Sequence, residues 1–571
     1  MLVRSTVLFL LAFSLSFTAV AQDAASADKI LTNATIWTGD QDQPTAEAIA
    51  IRGNRILAVG SEADVAPHEA SATETIDLDG RFVVPGFIDN HTHFNNAGAL
   101  KLGINLLDVN DPESLVREVR AAQERLPEGA WITGGDWGAY AQWEHDEDED
   151  APEQGVEFDP HRDLVDDFTQ DTPVFLSRWD GERFLANQYV LDEANLSCDD
   201  PGVHCENGEM TGLLDREAAA QIREIIPERA MEQRIAEAHK AMASLAEQGV
   251  TTIHDNTPPE QMRVFHQLDK DGELTVRVYA RPTLDKWSDL AAAGISHGFG
   301  NDWLEVGGLK GFVDGILGNS TAMFYEPYEH QDEEGIWRDM MDHPDGMQGL
   351  IEGAAEAGHW PQIHAIGDKA IDTLLTMYDR AQQNTDLAEN PDQRWRVIHA
   401  QHLRGPETAQ RMAELNLIAE MQPYHAIDDM RWVEERVGQE RARYTYAFRT
   451  LQDAGVMLSF GSDWPGTNAS WYPADPLQGI YAATVRKTLG GNPEGGWFPE
   501  ERIDVESALK AYTVNNAYAA GQENNRGQLT AGYLADLVVL SEDITAIEPA
   551  DILDVDVLRT MVNGEWVFEK E

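Results

Sequence analysis

Short apolar runs alternate with amphipathic stretches along most of this chain. Eight apolar runs predict buried strands, at Phe82–Asp89, Val250–Asp255, Leu274–Ala280, Leu309–Val313, Gln362–Ala365, Arg396–Ala400, Ile418–Gln422 and Val456–Gly461. The clearest helical patterns between them lie at Pro112–Leu126, Ala230–Glu247, Met347–Ala357, Asp368–Ala381 and Val505–Ala520. Buried strands that alternate with helices are typical of parallel sheets. The pattern therefore predicts an α/β fold, a (β/α)8 TIM barrel.

Both ends of the chain show a different pattern. Alternating apolar and polar residues predict short antiparallel strands at Lys29–Gly39, Ala48–Gly60, Ala535–Leu540 and Thr560–Phe568. We expect residues 22–80 and 521–571 to pair into a small accessory β-sandwich domain beside a barrel of residues 81–520. The stretch from about 100 to 240 is too long for one crossover, which predicts an insertion after the first strand.

Residues 1–21 have the pattern of a secretory signal peptide. Arg4 supplies a positive charge, Ser5–Ala19 is apolar, and Ala19 and Ala21 are the small residues that precede a cleavage site. The apolar run is too short for a comfortable membrane span, so we expect cleavage before Gln22 and no stable membrane insertion afterwards. The sequence thus predicts export to the periplasm or the medium. A retained N-terminal anchor is the alternative.

The charge of the chain limits its partners. The 571 residues include 42 basic and 100 acidic ones, which gives a formal charge of −58. Such a surface repels phosphates, so we expect a small-molecule substrate and no nucleic acid, and leave a homodimer open. The 15 Trp, 14 Tyr and 18 Phe indicate a packed globule. An acidic, lysine-poor surface suits a salt-loving source, although an acidic secreted protein is the alternative.

The chain has two cysteines, Cys198 and Cys205, on either side of an Asp-Pro-Gly turn. In an exported protein a close pair of this kind predicts a disulfide. By the loop-entropy relation, a disulfide that closes so short a loop would contribute on the order of 2.5 kcal/mol of stability. Two buried free thiols are the alternative.

Candidate metal ligands lie where the predicted strands end, which is where barrels place their catalytic groups. His91 and His93 follow the first strand, and side chains at i and i+2 of an extended segment point the same way. His364, His399 and Asp463 end three further strands. One such residue alone is more often structural. Four strand ends together predict a divalent metal site, because imidazole and carboxylate are common ligands of such ions.

The order of these motifs resembles that of the amidohydrolase superfamily, and within it the family 3 branch typified by N-substituted formamide deformylase. The resemblance runs from about Lys29 to Glu569. The motifs that carry it are Val84–His93, Leu309–Gly315, His364–Asp368, Gln422–His425, Gly461–Asp463 and Gly532–Leu537. Each is moderately specific, and their common order indicates the superfamily.

The resemblance implies a divalent metal, usually zinc, held by His91 and His93 with Asp463 beside it. One or two such ions lower the pKa of a bound water to near 7 and polarise the scissile carbonyl. Asp463 is then the natural proton shuttle, which passes the water's proton to the leaving nitrogen. We therefore expect a metal-dependent hydrolase of a non-peptide carbon–nitrogen bond, in an amide or formamide. An ester or lactone hydrolase on the same metal site is the alternative.

Lys310 stands where members with two metals carry a lysine carboxylated on its amine. The resemblance implies that this group bridges the ions and that His364 and His399 bind the second one. A lysine in so apolar a strand is a costly buried cation, whereas the carboxylated form is an anion that two metals can satisfy. Pairing of Lys310 with Asp314 is the alternative.

For the substrate pocket, His425 is the best candidate, and Trp137 and Arg441 are weaker ones. Two positions depart from related sequences. Glu182 stands where a histidine is usual, and Ile398 stands where a glutamate often precedes the histidine of the second metal. We expect the first departure to change substrate contacts and the second to alter the support behind that histidine.

A rival catalytic motif is present at Gly294–Gly298, which reads Gly-Ile-Ser-His-Gly and matches the nucleophile elbow of serine hydrolases. That elbow needs a strand before it and a helix after it. The residues before it look helical instead, and those after it look like a loop. A non-catalytic binding protein is a further alternative, which the ligands at four strand ends disfavour.

Overall fold

The computed structural model describes residues 25–107, 109–127, 129–138, 158–178, 181–385, 392–467 and 470–570. The predicted signal peptide lies outside the described residues. Within them the chain has a mixed α/β fold with six sheets. No helix in these ranges has the length and apolar character that crossing a membrane requires.

Two five-stranded sheets carry the strands that the sequence predicts. The first parallel sheet has the spatial order Phe299–Gly300, Leu304–Val306, Arg277–Arg281, Val250–Asn256 and Phe87–Thr92. The second parallel sheet has the order Leu309–Phe312, Pro361–Ala365, Arg396–His399, Ile418–Met421 and Met457–Phe460. All pairings are parallel except that of Phe299–Gly300 with its neighbour. Parallel pairing brings the C-terminal ends of the strands of a sheet to one edge.

Two isolated bridges join the two parallel sheets. An isolated parallel bridge joins Thr92, at the end of one edge strand, to Trp464, just beyond Met457–Phe460. A second parallel bridge joins Thr283 to Lys310. Strand ends from both sheets therefore meet, which is the arrangement that the predicted metal site needs.

Strands occur at all eight predicted positions, but the first prediction merged two strands. Phe82–Pro85 belongs to a sheet at the chain ends, and Phe87–Thr92 belongs to the first parallel sheet. The chain changes sheets at Gly86, where a Cβ atom would lie 2.2 Å from Oγ1 of Thr251. Glycine is required there because the backbone passes so close to the next strand.

The helices also follow the predicted positions. The α-helices of the described residues are Glu62–Val65, Phe94–Leu102, Pro112–Arg125, Asp163–Asp166, Gln188–Glu193, Arg216–Ile225, Met231–Glu247, Pro259–Asp271, Trp287–Ala292, Gly346–Glu356, Asp368–Asn384, Pro406–Glu414, Pro423–Asp429, Val433–Val437, Gln439–Ala442, Phe448–Asp453, Pro476–Val485, Val505–Ala511 and Val514–Ala519. The helix predicted over 505–520 is thus two helices, because the backbone leaves the helical region at Thr513. The helix Asp368–Asn384 is attached to the strand Arg396–His399 by Tyr378, whose hydroxyl donates to the carbonyl of Arg396 at 2.9 Å.

Residues from the two ends of the chain pair with each other. A four-stranded sheet has the order Arg55–Gly60, Ala48–Arg52, Lys29–Thr32 and Glu74–Asp77. A six-stranded sheet has the order Glu565–Glu569, Val557–Val562, Leu537–Leu540, Phe82–Pro85, Thr35–Trp37 and Thr45–Ala46. Leu31 and Ile49 of the former share a buried apolar cluster with Val83, Leu537 and Met561 of the latter. Burial of these apolar side chains joins the two chain ends.

A further five-stranded sheet lies between Phe87–Thr92 and Val250–Asn256 in the sequence, where the insertion is expected. Its order is Val203–Glu206, Glu209–Asp215, Arg183–Ala186, Val174–Arg178 and Ile132–Trp137. Cys205, in the strand Val203–Glu206, forms a disulfide with Cys198, and their Cα atoms are 5.9 Å apart. A two-stranded ribbon, Gly466–Thr467 with Ser470–Trp471, follows the second parallel sheet.

A buried ion pair attaches the six-stranded sheet to the first parallel sheet. Arg277 donates from Nε to Oδ2 of Asp536 at 2.7 Å and from Nη2 to Oδ1 at 2.9 Å. Both side chains are almost fully buried. Burial alone would raise the pKa of Asp536, but the guanidinium of Arg277 outweighs burial and lowers that pKa. The pair therefore keeps its charges inside the protein.

We predict that Asp536→Asn lowers the free energy of unfolding by about 3 kcal/mol, because it leaves Arg277 buried without a counter-charge. Denaturant unfolding followed by tryptophan fluorescence measures the change. Glu565→Gln is the control, since Glu565 pairs with Lys29 but its side chain is 76% exposed. An exposed pair of this kind contributes about 0–1 kcal/mol. Equal, small effects of the two variants would contradict the prediction.

Candidate metal centre

The adjoining strand ends bring the predicted ligands together. Oδ1 of Asp463 lies 3.1 Å from Nε2 of His93 and 3.5 Å from Nε2 of His91. Nζ of Lys310 lies 3.3 Å from the same nitrogen of His91. One ligand atom each from His91, His399 and Asp463 lies within 4.8 Å of the others. These distances suit side chains that share a cation.

His364 completes the group. Its ring centroid lies 4.6 Å from that of His399. Its Nε2 is 2.9 Å from the carbonyl oxygen of Gly315, which can only accept a hydrogen bond. The proton is therefore on Nε2, and Nδ1 is the nitrogen with a free lone pair. We call the six residues the metal cluster: His91, His93, Lys310, His364, His399 and Asp463.

Two of these residues stand at strained turns. His399 has φ of 69°, the following Ala400 has φ of 44°, and Asp463 has φ of 61°. Residues other than glycine rarely adopt such left-handed values, and those that do are concentrated at functional sites. The strained residues lie at the ends of two strands of the second parallel sheet, Arg396–His399 and Met457–Phe460, at the positions where the sequence predicts ligands.

The carboxylate of Asp89 connects the segments that carry His91 and Asp463. Oδ1 accepts from the backbone N–H of His91 at 3.0 Å and of Ser462 at 3.0 Å, and Oδ2 accepts from Oγ of Ser462 at 2.5 Å. Burial raises the pKa of Asp89 to about 6. A Cβ atom at Gly461 would lie 2.7 Å from the backbone nitrogen of His91, so only glycine permits this approach.

Hydrogen bonds fix the orientation of two imidazoles. Nδ1 of His91 lies 2.8 Å from Oε1 of Glu420, and Nδ1 of His399 lies 2.7 Å from Oε1 of Gln422. Both partners are acceptors, so each Nδ1 carries the proton and each Nε2 keeps its lone pair. Burial lowers the pKa of both imidazoles well below the usual range, with Lys310 adding to the effect at His91. Burial therefore favours the neutral form of each ring, which is the form that binds metals.

Asp463 provides the test of whether a cation fits here. Burial alone would raise the pKa of its carboxyl group, but His91 and His93 outweigh burial and hold that pKa well below its usual value. Its Oδ1 atom is buried and accepts no hydrogen bond of ordinary geometry within the described part of the chain. An ionised, buried oxygen that faces imidazole nitrogens needs a positive partner. The donor set therefore fits a divalent metal.

Lys310 is fully buried, and burial together with the charge of Arg281 lowers the pKa of its amine to about 7. The alternative partner, Asp314, is already occupied, because its Oδ2 atom accepts from the backbone N–H of Met323 and of Gly367, each at 2.9 Å. The pairing of Lys310 with Asp314 that the sequence allowed is thus wrong. Near neutral pH a large fraction of this amine is uncharged.

Sequence reasoning missed three side chains that contact the cluster. Nδ2 of Asn256 lies 3.0 Å from Nε2 of His91 and 3.2 Å from Nε2 of His93. Glu420 and Gln422 are the partners of the two imidazole Nδ1 atoms. Asn256 could have been found, because it ends a predicted strand as the ligands do. Glu420 also gave a signal, as a charged residue inside an apolar strand.

Of the three residues predicted to line the substrate pocket, His425 lies beside the metal cluster. The ring of His425 lies 6.5 Å from that of His399 and 4.3 Å from that of Tyr472. Burial lowers the pKa of His425, and its Nε2 atom has no hydrogen-bond partner within the described ranges. His425 therefore lies beside the cluster with a polar atom available.

The contacts of the other two candidates are with residues outside the metal cluster. Trp137 is fully buried in the apolar core of the insertion, and its Nε1 donates to the carbonyl of Phe158 at 3.0 Å. The prediction that Trp137 contacts substrate is wrong, because this side chain has no exposed surface. Arg441 donates to the carbonyl of Glu326 at 2.9 Å and pairs with Glu329. These contacts hold the guanidinium against a loop.

The two positions that depart from related sequences are Glu182 and Ile398. Glu182 forms an exposed ion pair with Arg216, at 2.9 Å. Ile398 is the register partner of Glu420 on the neighbouring strand. The support behind His399 comes from Gln422, two residues further along that neighbouring strand segment.

The serine-hydrolase alternative is not supported by the local structure. The helix Trp287–Ala292 precedes Gly294–Gly298, and the strand Phe299–Gly300 follows it. This order is the reverse of the strand, turn and helix that a nucleophile elbow needs. Ser296 is exposed and lies outside the metal cluster.

Comparison with known proteins gives a consistent result. Residues 74–568 match the model of the amidohydrolase family. Protein LONG AFTER FAR-RED 3 of Arabidopsis thaliana is 33% identical over 563 residues, which cover 95% of this chain and 92% of that protein. N-substituted formamide deformylase of Arthrobacter pascens is 26% identical over 587 residues, which cover 95% and 98%. An uncharacterized metal-dependent hydrolase from Pyrococcus furiosus has a similar crystal structure, with a TM-score of 0.72, 27% identity and coverage of 90% and 99%.

The fold, the candidate triad of His91, His399 and Asp463 and these relatives together define a hydrolase with a metal-binding site. The chain belongs to the amidohydrolase family. The resemblance that the sequence motifs indicated is thereby confirmed.

Proposed function

We propose that this protein is a metal-dependent hydrolase that cleaves a non-peptide carbon–nitrogen bond, in an amide or formamide. The observation that supports it most directly is the buried carboxylate of Asp463, whose Oδ1 atom lies 3.1 Å from Nε2 of His93 and 3.5 Å from Nε2 of His91. A site of this kind is suited to metal-assisted hydrolysis. The bond type is supported by similarity to N-substituted formamide deformylase.

Zinc is the ion that we propose, because it is commonly bound by imidazole nitrogen and carboxylate oxygen. When bound, it supplies a water that ionises near neutral pH and a Lewis acid for the scissile carbonyl. His91, His93 and Asp463 would hold one ion. His364 and His399 would hold a second, with carboxylated Lys310 between the two.

Lys310 has the chemistry that carboxylation requires. Only an uncharged amine reacts with carbon dioxide, and the lowered pKa of Lys310, about 7, provides that form at neutral pH. The product is an anion, which would offset the positive charge of Arg281 and the metals. Carboxylation thus converts a poorly solvated cation into a ligand.

Asp463 is the proposed proton shuttle. Its carboxylate is ionised and can accept a proton from the attacking water. The same proton then passes to the leaving nitrogen as the carbon–nitrogen bond breaks, so that a carboxylic acid and an amine are released. His425 would bind the substrate through Nε2, which is buried beside His399. Arg441 stays a weaker prediction for a substrate contact.

We propose further that the two parallel sheets form a closed (β/α)8 barrel. The bridges at Thr92–Trp464 and Thr283–Lys310 support closure, because each edge strand of the second parallel sheet lies at or next to a bridge to a residue in or just after a strand of the first. The two sheets at the chain ends would form the accessory β-sandwich, which is supported by their common apolar cluster.

We predict that dialysis against a chelator abolishes hydrolysis of N-formyl and N-acyl substrates and that Zn²⁺ restores it, because the reacting water depends on the metal. The measurement is turnover of a panel that includes matched esters. Ser296→Ala is the control and keeps wild-type turnover, since Ser296 lies outside the metal cluster. Turnover that persists without metal, or turnover of esters alone, contradicts the proposed function.

We predict that Asp463→Asn lowers kcat/KM by about 10²–10⁴-fold, since an amide cannot accept the water's proton. Steady-state kinetics measure the loss, and circular dichroism checks that the fold is kept. Asp453→Asn is the control, because Asp453 forms an exposed pair with Arg449. Normal kinetics of Asp463→Asn would refute the assigned role.

We propose that the protein is exported, on the basis of the signal-peptide pattern in residues 1–21. The expected mature protein begins at Gln22. N-terminal sequencing of the protein recovered from the periplasm or medium of a bacterial host measures the start. Recovery from the cytoplasm with Arg4 still present would contradict export.

A further inference from the structure

Glu420 is a fully buried charged residue in the strand Ile418–Met421, where its neighbours are apolar. Parallel register sets it opposite Ile398 on one side and Ser459 on the other. A buried carboxylate is expensive unless its oxygens have partners. The partners of Glu420 therefore indicate why it is there.

Three groups donate to this carboxylate. Oε1 lies 2.8 Å from Nδ1 of His91 and 2.7 Å from Nη1 of Arg281. Oε2 lies 2.8 Å from Nη1 of Arg396. Hydrogen bonds between charged groups at these distances are short and strong. Glu420 thus contacts one member of the metal cluster and two guanidinium groups.

The two arginines are fixed in turn by the backbone. Nη2 of Arg281 donates to the carbonyl of His254 at 3.0 Å, and Nη2 of Arg396 donates to the carbonyl of Ala519 at 2.7 Å. Both arginine side chains are fully buried. A planar guanidinium that is held at a second nitrogen cannot rotate freely. The carboxylate of Glu420 therefore has one orientation toward His91.

Stability alone does not account for this arrangement. Replacing a buried ion pair by apolar side chains of similar volume is often neutral or stabilising. A network kept only for stability would also have no need to include Nδ1 of His91. The contact with a candidate ligand is the element that an apolar core could not supply.

We propose that Glu420 is a positioning residue for the metal site. It keeps the proton of His91 on Nδ1 and fixes the ring so that the Nε2 lone pair faces Asp463. The inference rests on the proposed function, because it concerns the affinity of the site for its metal. Two histidines of the cluster have different partners. His91 is oriented by an anionic carboxylate, and His399 is oriented by the neutral amide of Gln422.

Titration of the full-length apoprotein with Zn²⁺, in competition with a chelator of known affinity, tests the proposal. We expect Glu420→Gln to weaken zinc binding by about 10–100-fold, which is the usual effect of removing the partner of a metal-ligating histidine. The matched control is Asp536→Asn, which also removes a buried carboxylate from an arginine but does not contact the metal cluster. We expect this control to keep wild-type zinc affinity while losing stability.

Glu420→Asp is the second variant, and it retains the negative charge between the arginines if Glu420→Gln does not fold. Withdrawing the carboxylate by one methylene should still weaken zinc binding by about tenfold or more and should change the visible absorption of the Co²⁺-substituted protein. Wild-type zinc affinity in the folded Glu420 variant overturns the inference but leaves the proposed function intact. A wild-type protein that binds no zinc overturns both.

Discussion

The carboxylate of Asp89 is the interaction on which the candidate site depends. It accepts hydrogen bonds from the first strand end, at His91, and from the turn at Ser462 that precedes Asp463. One buried side chain therefore connects two distant segments of the chain, since Asp89 and Ser462 lie 373 residues apart in the sequence. The glycine at position 461 is the necessary complement, because a side chain there would separate them.

Around this contact the interior is more polar than the apolar strand pattern suggests. Arg281, Arg396 and Glu420 are fully buried within the parallel sheets, and Lys310 lies close by. In a medium of low dielectric constant these charges act strongly on one another. Burial and the positive charge of Arg281 lower the pKa of Lys310, and the positive charges of Arg281 and Arg396 outweigh burial and lower the pKa of Glu420. Electrostatics and geometry at the site therefore have a common origin in a few buried side chains.

Much of this arrangement could be predicted from the sequence. The strands can be predicted because buried strands are short, apolar and separated by helices. The candidate ligands can be predicted because parallel strands end at one edge, and they are His91, His364, His399 and Asp463. The division of the first strand at Gly86 was not readable, since it depends on the approach of Thr251 from another strand.

Side-chain contacts between strands could not be predicted from the sequence either. That Glu420 supports His91 follows from register and side-chain length, neither of which a pattern specifies. Trp137 was misplaced for a related reason. An aromatic residue in an insertion can line a pocket or fill a core, and only the packing of the insertion decides between them.

The pairing of the chain ends has a consequence for how the protein is made. Phe82–Pro85 is among the first strands to be synthesised, yet one of its neighbours in the six-stranded sheet is Leu537–Leu540. That neighbour emerges from the ribosome only when the chain is nearly complete. Until then the early strand has an open edge, which is a surface prone to mispairing. A chain that lacks residues 537–569 therefore cannot complete the six-stranded sheet, which takes three of its six strands from that segment.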